Sequence, residues 1–142
     1  MPHPLVGTWA LVATQWRRAD GRHANPFGPG AAGILVYDAA GHMSAQVMRA
    51  GRPVPPPEAY AGIDTAMADA VPGYVAYFGA YKIDDGAGTV THRVAGSAFP
   101  AWVGHEVSRR FVIEGDRLTL ADSVVAADGV AVEAATVWER VG

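Results

Sequence analysis

The 142-residue sequence has no cysteine, few charged residues and no long hydrophobic run, and each absence excludes a class of protein. Without cysteine there is no disulfide framework, no thiol nucleophile and no cysteine-ligated metal site. Charged residues make up 18% of the chain, the formal net charge is -3 and there is no basic stripe, so the sequence predicts no nucleic-acid partner. No apolar run approaches the roughly 20 residues that span a bilayer, which predicts no membrane partner.

The composition that remains favours a folded domain. Half of the residues are hydrophobic, and a chain of this length can bury a core of its own. We therefore expect one domain over residues 1–142. The first four residues, Met-Pro-His-Pro, lack the basic and apolar regions of a signal peptide, which favours a cytoplasmic location.

Short segments of alternating polarity, separated by turn-forming residues, predict an all-β chain. The predicted strands cover residues 7–17, 33–37, 42–49, 80–83, 89–96, 105–113, 118–122 and 130–140. Most of them are joined by tight hairpin turns such as Asp128-Gly129. Eight antiparallel strands in chain order are the number that closes into a small up-and-down barrel holding one ligand.

One segment, residues 64–78, has a helical pattern. Asp64 is a candidate N-cap, Gly79 a candidate stop, and Pro72 predicts either a kink or two short helices. Four aromatic residues fall at the spacing i, i+3, i+4 and i+7, namely Tyr74, Tyr77, Phe78 and Tyr81. We therefore expect a short helical insertion between the third and fourth strands, with this stripe packed on the outside or rim of the sheet.

The two ends of the chain are predicted to meet. Trp9, in the Gly7-Thr8-Trp9 segment of the first strand, offers a flat aromatic face, and Arg140 arrives from the last strand. A guanidinium can stack across that ring while it donates hydrogen bonds to nearby carbonyls. This pair predicts the floor of the barrel.

Strand alternation assigns polar side chains to the interior. The inward positions include His92, Arg109, Tyr81 and Thr136. On the first strand the pattern places Trp9, Leu11 and Ala13 inside and Trp16 outside. The third strand leaves two alternatives, in which either Met43, Ala45 and Val47 or Ser44, Gln46 and Met48 face inward. Apolar walls with a few polar groups are typical of a binding pocket.

Two of these residues have two interpretations each. Arg109 either anchors an acidic or carbonyl-bearing ligand, or reaches water or backbone carbonyls at the mouth. His92 is either a general acid or base, or a buried histidine hydrogen-bonded by Tyr81, Thr136 or a water.

The sequence predicts neither a metal nor a cofactor. His42, His92 and His105 lack the close spacing of metal ligands, and we expect His105 to be an exposed residue near the rim. No phosphate-binding loop or dinucleotide-binding glycine motif is present.

Several segments together resemble the lipocalin superfamily and, more closely, the bacterial and fungal lipocalin-like domain family. The matching segments lie at residues 5–9, 25–28, 43–46, 74–79, 88–92, 99–104, 109–111 and 138–140. The resemblance implies an eight-stranded lipocalin-like β-barrel with a cavity for a small, largely apolar molecule. It does not define a catalytic set.

Three functional hypotheses follow. The first is a carrier of a small hydrophobic or amphipathic molecule with a carbonyl, carboxylate or phenol group. Its predicted ligand-binding residues are Ser44, Gln46, Tyr77, Phe111, Thr136, Trp102 and Phe27. The alternative is a cofactor-independent isomerase, cyclase or dehydratase in which His92 moves a proton while Arg109 and Tyr81 stabilise an oxyanion.

The third hypothesis is an interaction module. Trp16, Trp102 and the proline-rich segment at residues 51–57 would form its partner surface, and exposed aromatic residues of this kind also predict a homodimer face.

Overall fold

Eight antiparallel strands close into a barrel in the computed structural model, which describes residues 2–21, 27–52, 73–125 and 128–142. The strands, in chain order, are β1 (Gly7–Arg18), β2 (Ala32–Tyr37), β3 (His42–Met48), β4 (Tyr74–Asp84), β5 (Thr89–Ser97), β6 (Glu106–Glu114), β7 (Arg117–Val125) and β8 (Ala131–Arg140). Each strand pairs with the next, and β8 pairs with β1. This confirms the predicted all-β, up-and-down barrel. No helix in the described part of the chain is long and apolar enough to cross a membrane.

Tight turns set the register between consecutive strands. Between β2 and β3, the Asp38 carboxylate accepts hydrogen bonds from the backbone N–H groups of Ala40 and His42, at 2.9 and 2.7 Å. Gly41 takes a φ of 96°, a conformation that glycine adopts without steric penalty. The turn therefore pairs Tyr37 with Met43 and places both side chains inside the barrel.

The floor of the barrel is built as the chain ends predict. The Arg140 guanidinium lies over the Trp9 ring, 4.2 Å from its centroid, and donates to the Val6 carbonyl at 2.9 Å and to the Pro4 carbonyl. Gly7 has a φ of 147°, and a Cβ there would lie 2.7 Å from the Gly142 carbonyl oxygen. Glycine is therefore required where the two chain ends cross.

The predicted helix is wrong where it meets β4. Residues 74–78, its last turn, lie instead in a strand that pairs with β3 from His42↔Ala80 to Met48↔Tyr74. Pairing with β3 along the whole segment, and with β5 from Tyr77 onward, satisfies these backbone groups. This tertiary context outweighs an aromatic spacing that also fits a helix. The stripe is consequently divided, with Tyr77 and Tyr81 facing inward and Phe78 57% exposed. The rest of the predicted insertion, residues 64–72, lies outside the described residues.

The predicted inner face of β1 is wrong beyond Leu11. The pairing of β1 with β8 shifts between Leu11 and Ala13, so that one extra residue interrupts the alternation. Thr14 is consequently buried and Trp16 faces the interior, although the period-two pattern places Trp16 outside.

The alternatives for β3 are resolved in favour of the apolar set. Met43, Ala45 and Val47 are 3%, 5% and 8% exposed, so they face inward. Ser44 and Gln46 lie on the opposite, outer face of the strand.

Candidate functional site

The end of the barrel opposite the floor contains a cavity of about 370 Å³. Most of its walls are aromatic or aliphatic. Among the described residues, those that line it are Trp16, Phe27, Leu35, Ala45, Val47, Gly73, Tyr74, Val75, Tyr77, Phe99, Trp102, Arg109, Leu120, Ala134, Thr136 and Trp138. Ligand pockets for small molecules are typically ~300–1,000 Å³ with apolar walls and a few placed polar groups. This cavity has the size and the composition of such a pocket.

An aromatic wall stands at the mouth of the cavity. The segment after β5 forms a short 3-10 helix at Pro100–Trp102, and the Ser97 hydroxyl accepts a hydrogen bond from the Phe99 backbone N–H at 3.0 Å just before it. This turn places the Trp102 ring 5.1 Å from that of Phe99 and 5.9 Å, edge to face, from that of Tyr77. The wall thus offers flat surfaces to a planar molecule.

Arg109 is the one charged side chain that the described part of the chain contributes to the cavity lining. It lies on the inner face of β6, opposite Val90 of β5. None of the ion pairs found within the described ranges involves Arg109. Its guanidinium hydrogen-bonds the Tyr77 hydroxyl, but that neutral group does not compensate its charge. A guanidinium without a carboxylate partner beside apolar walls favours an anionic or oxygen-bearing group of a ligand.

Behind the cavity wall, three side chains form a hydrogen-bonded row. His92 is fully buried, and its Nε2 lies 2.5 Å from the Tyr37 hydroxyl while its Nδ1 lies 3.0 Å from the Tyr77 hydroxyl. Burial, with a smaller contribution from the positive charge of Arg109, lowers the pKa of His92 to about 3. His92 is therefore neutral near pH 7, as a core histidine satisfied by its neighbours.

Burial also affects both tyrosines of the row. It raises the pKa of Tyr37 well above its usual value, and it raises the pKa of Tyr77 against the opposing effect of Arg109. Both hydroxyls consequently keep their protons across the physiological range and act as neutral hydrogen-bonding groups. Tyr77 is the one member of the three that also lines the cavity.

Half of the residues predicted to form the site meet at this cavity. They are Arg109, Tyr77, Thr136, Trp102 and Phe27. The Thr136 hydroxyl oxygen accepts a hydrogen bond from the indole of Trp138 at 2.8 Å, which fixes both side chains in the wall. The ligand-binding roles of these residues stay predictions.

The other predicted site residues lie elsewhere. His92 is behind the wall, and the Tyr81 hydroxyl donates to the Asp38 carbonyl near the floor, away from Arg109. Phe111 packs near the floor, where its ring lies 5.8 Å from that of His3. The predicted partners of His92, Tyr81 or Thr136, are replaced by Tyr37 and Tyr77.

Ser44 and Gln46 do not reach the cavity, because β3 turns its apolar face inward. They line a smaller surface depression of about 230 Å³ together with Phe78 and Ser97. The Gln46 side-chain oxygen accepts a hydrogen bond from the Tyr74 hydroxyl at 2.6 Å.

The sequence pattern did not assign two residues, Trp16 and Tyr37, to the cavity or to the row behind it. Trp16 enters the cavity because of the irregularity in β1, and nothing in the sequence signals that extra residue. Tyr37 could have been found, since it shares the inward parity of Leu35 on β2. No group of three or more histidine, aspartate and glutamate side chains in the described segments could hold a metal ion.

Comparison with known proteins points to one family. A family model described as a lipocalin-like domain matches residues 6–141. Among curated proteins, the chain is similar to the 4'-hydroxy-3'-methoxypropiophenone carrier protein ppsC of Aspergillus oryzae. The two are 38% identical over 86 residues, which cover 56% of this chain and 78% of the relative. No solved structure matches the chain significantly.

Proposed function

We propose, from the premise that the chain belongs to the lipocalin-like domain family, that the protein carries a small hydrophobic or amphipathic molecule in its barrel. The observation behind this proposal is the cavity of about 370 Å³, with apolar walls and Arg109 and Tyr77 as placed polar groups. The similar fungal protein is itself named as a carrier.

The walls suit a planar aromatic ligand. The molecule in the name of the fungal relative is an aryl ketone that also bears a hydroxyl and a methoxy group. Such a ring can pack against Trp102 and Phe99 at the mouth, while an oxygen reaches Arg109. This molecule is therefore the first probe to use.

The alternative function, a cofactor-independent enzyme, is not favoured. Its proton-transfer residue, His92, does not line the cavity, and a pKa of about 3 leaves it a poor base at neutral pH. Tyr81, the proposed oxyanion partner, donates its hydroxyl hydrogen to the Asp38 carbonyl.

The experiment is a binding titration with 4'-hydroxy-3'-methoxypropiophenone. The molecule has about 13 non-hydrogen atoms, and ~0.5 kcal/mol per atom gives a Kd on the order of 20 µM. Trp16, Trp102 and Trp138 line the cavity, so binding should quench tryptophan fluorescence, and calorimetry should give the same Kd.

A matched pair of variants locates the binding. Ala134 lines the cavity, whereas Ala135, its neighbour on β8, faces the other side of the sheet. Ala134→Leu should weaken binding by at least about tenfold, because it fills space that the ligand needs, and Ala135→Leu should not. Absence of binding to the wild type, or equal effects of both variants, would refute the proposal.

Two further expectations from the sequence stay predictions. They are a cytoplasmic location and a homodimer, and light scattering coupled to size-exclusion chromatography tests the second.

A further inference from the structure

We infer that the buried pair Tyr37 and His92 fixes the Tyr77 hydroxyl as a hydrogen-bond donor toward the cavity, so that the protein selects ligands with an acceptor oxygen there. This inference rests on the proposed carrier function. Beyond the carrier function, the inference specifies that an acceptor oxygen of the ligand is recognised by Tyr77, and that Tyr37 and His92 orient the Tyr77 hydroxyl.

Tyr37 is at the end of the row that does not line the cavity. Its side chain is 1% exposed, and within the described chain the polar partner of its hydroxyl is His92 Nε2 at 2.5 Å. A buried hydroxyl hydrogen without an acceptor is strongly unfavourable. Tyr37 therefore donates to Nε2, and Nε2 is the nitrogen that carries no hydrogen.

The hydrogen of the imidazole ring must then be on the other nitrogen. His92 is neutral, since burial and the nearby Arg109 keep its pKa at about 3, and a neutral imidazole has one N–H and one bare nitrogen. Because Nε2 accepts, Nδ1 has the hydrogen. It donates to the Tyr77 oxygen, which lies 3.0 Å away.

The hydroxyl hydrogen of Tyr77 stays available for a ligand. Its oxygen accepts from His92, so its own hydrogen is not used within the row. Tyr77 lines the cavity beside Arg109, whose guanidinium acts on the Tyr77 hydroxyl through its charge and through a side-chain hydrogen bond that the Tyr77 oxygen accepts. A guanidinium has donors only, so both polar groups at this point of the wall donate. Their complement is an acceptor, such as a ketone or carboxylate oxygen.

A second tyrosine in the same wall provides the control. Tyr74 also lines the cavity, but its hydroxyl donates to the Gln46 side-chain oxygen at 2.6 Å. Its hydrogen is thus already used outside the cavity. Tyr74→Phe therefore removes a hydroxyl from a neighbouring residue of the same strand without removing a donor to the ligand.

The experiment measures the affinity of two matched probes. One is 4'-hydroxy-3'-methoxypropiophenone, and the other is 2-methoxy-4-propylphenol, which has the same ring substituents but a methylene in place of the carbonyl. The wild type should prefer the ketone by about tenfold or more, because the alkyl probe offers no acceptor to the Tyr77 hydrogen or to the remaining N–H groups of Arg109. Tyr77→Phe should reduce this preference by about fivefold, the effect of one neutral hydrogen bond. Tyr74→Phe should leave the preference within about twofold.

A spectroscopic measurement tests the orientation independently of any ligand. Nitrogen-15 NMR of the His92 ring at pH 7 should show the hydrogen on Nδ1, and a hydrogen on Nε2 would overturn the inference. Equal affinities of the wild type for the two probes would also overturn it, while leaving the carrier function intact. If neither probe binds, the carrier function itself is refuted for this ligand class, and selection through an acceptor oxygen falls with it.

Discussion

Acidification should destabilise the barrel through His92, whose ring is buried and hydrogen-bonded at both nitrogens. In the unfolded chain the ring takes up a proton near its usual pKa of 6.5, whereas in the folded protein the pKa is lowered to about 3. Between these two values the unfolded state binds a proton that the folded state does not. The free energy of unfolding must therefore fall as the pH falls through this window.

The size of the effect follows from the two pKa values. The stabilising contribution is fully present above pH 6.5 and decreases by up to ~1.4 kcal/mol for each pH unit below it. Between pH 7.5 and 4.5 this amounts to about 3 kcal/mol, a large part of the ~5–15 kcal/mol typical of a domain. Burial of the ring is the main cause, and repulsion from Arg109 adds to it.

Urea unfolding followed by tryptophan fluorescence measures this loss, with His92→Gln as the control. Glutamine is neutral at every pH, so the stability of the wild type relative to the variant should decrease by about 3 kcal/mol between pH 7.5 and 4.5. Exposed carboxylates with lowered pKa values, such as those of Asp38 and Glu133, also lose their stabilising contribution on acidification. This loss is the same in the wild type and the variant, so it cancels in the difference between their free energies of unfolding.

A relative stability that stays constant across this range would refute the assignment of a neutral, buried His92. As a check that does not depend on the variant, the ring proton resonances of His92 in the folded wild type should not titrate between pH 8 and 4.5.

The remaining predictions concern the floor and the sheet. Arg140→Met removes the stacked guanidinium and its two carbonyl contacts, and it should lower the free energy of unfolding by about 2–4 kcal/mol. The exposed control Arg117→Met should change it by less than ~0.5 kcal/mol, and similar losses for the two would contradict the closure of the floor. Gly79→Ala should lower the thermal midpoint and cost at least about 2 kcal/mol, because its Cβ would collide with the Arg93 carbonyl oxygen in the adjacent strand. In the control Gly86→Ala, which lies in a turn, the nearest atom to the new Cβ would be 3.4 Å away, so the thermal midpoint should hardly change. Equal midpoints for the two variants would contradict the predicted collision and show that the strands can move apart.

Most of the fold could be read from local features of the sequence. Alternation of apolar and polar residues has a period of two in a strand, and glycine or aspartate marks each hairpin, so the eight strands and their order followed. The floor was also predictable, since Trp9 opens the first strand, Arg140 closes the last one, and a guanidinium stacks on an indole ring.

The errors share one physical cause, which is that pairing between strands overrides the local pattern. Tyr74, Tyr77 and Phe78 fit a helical spacing, but β3 offers them a continuous ladder of hydrogen bonds. A single extra residue after Leu11 reverses the face of β1 and brings Trp16 into the cavity. Neither the strand at residues 74–78 nor the irregularity in β1 is visible in the composition or the periodicity of the sequence.

The candidate site also has features that single strands predict and features that depend on contacts between strands. The sequence by itself determined a closed barrel with an apolar interior and placed Arg109 and Thr136 on its inner face, because each of these depends on the parity of one strand. Only the tertiary structure decided that Tyr37, His92 and Tyr77 form one row. These residues come from β2, β5 and β4, and the distance between side chains on different strands is set by register and by barrel closure, which no single strand encodes.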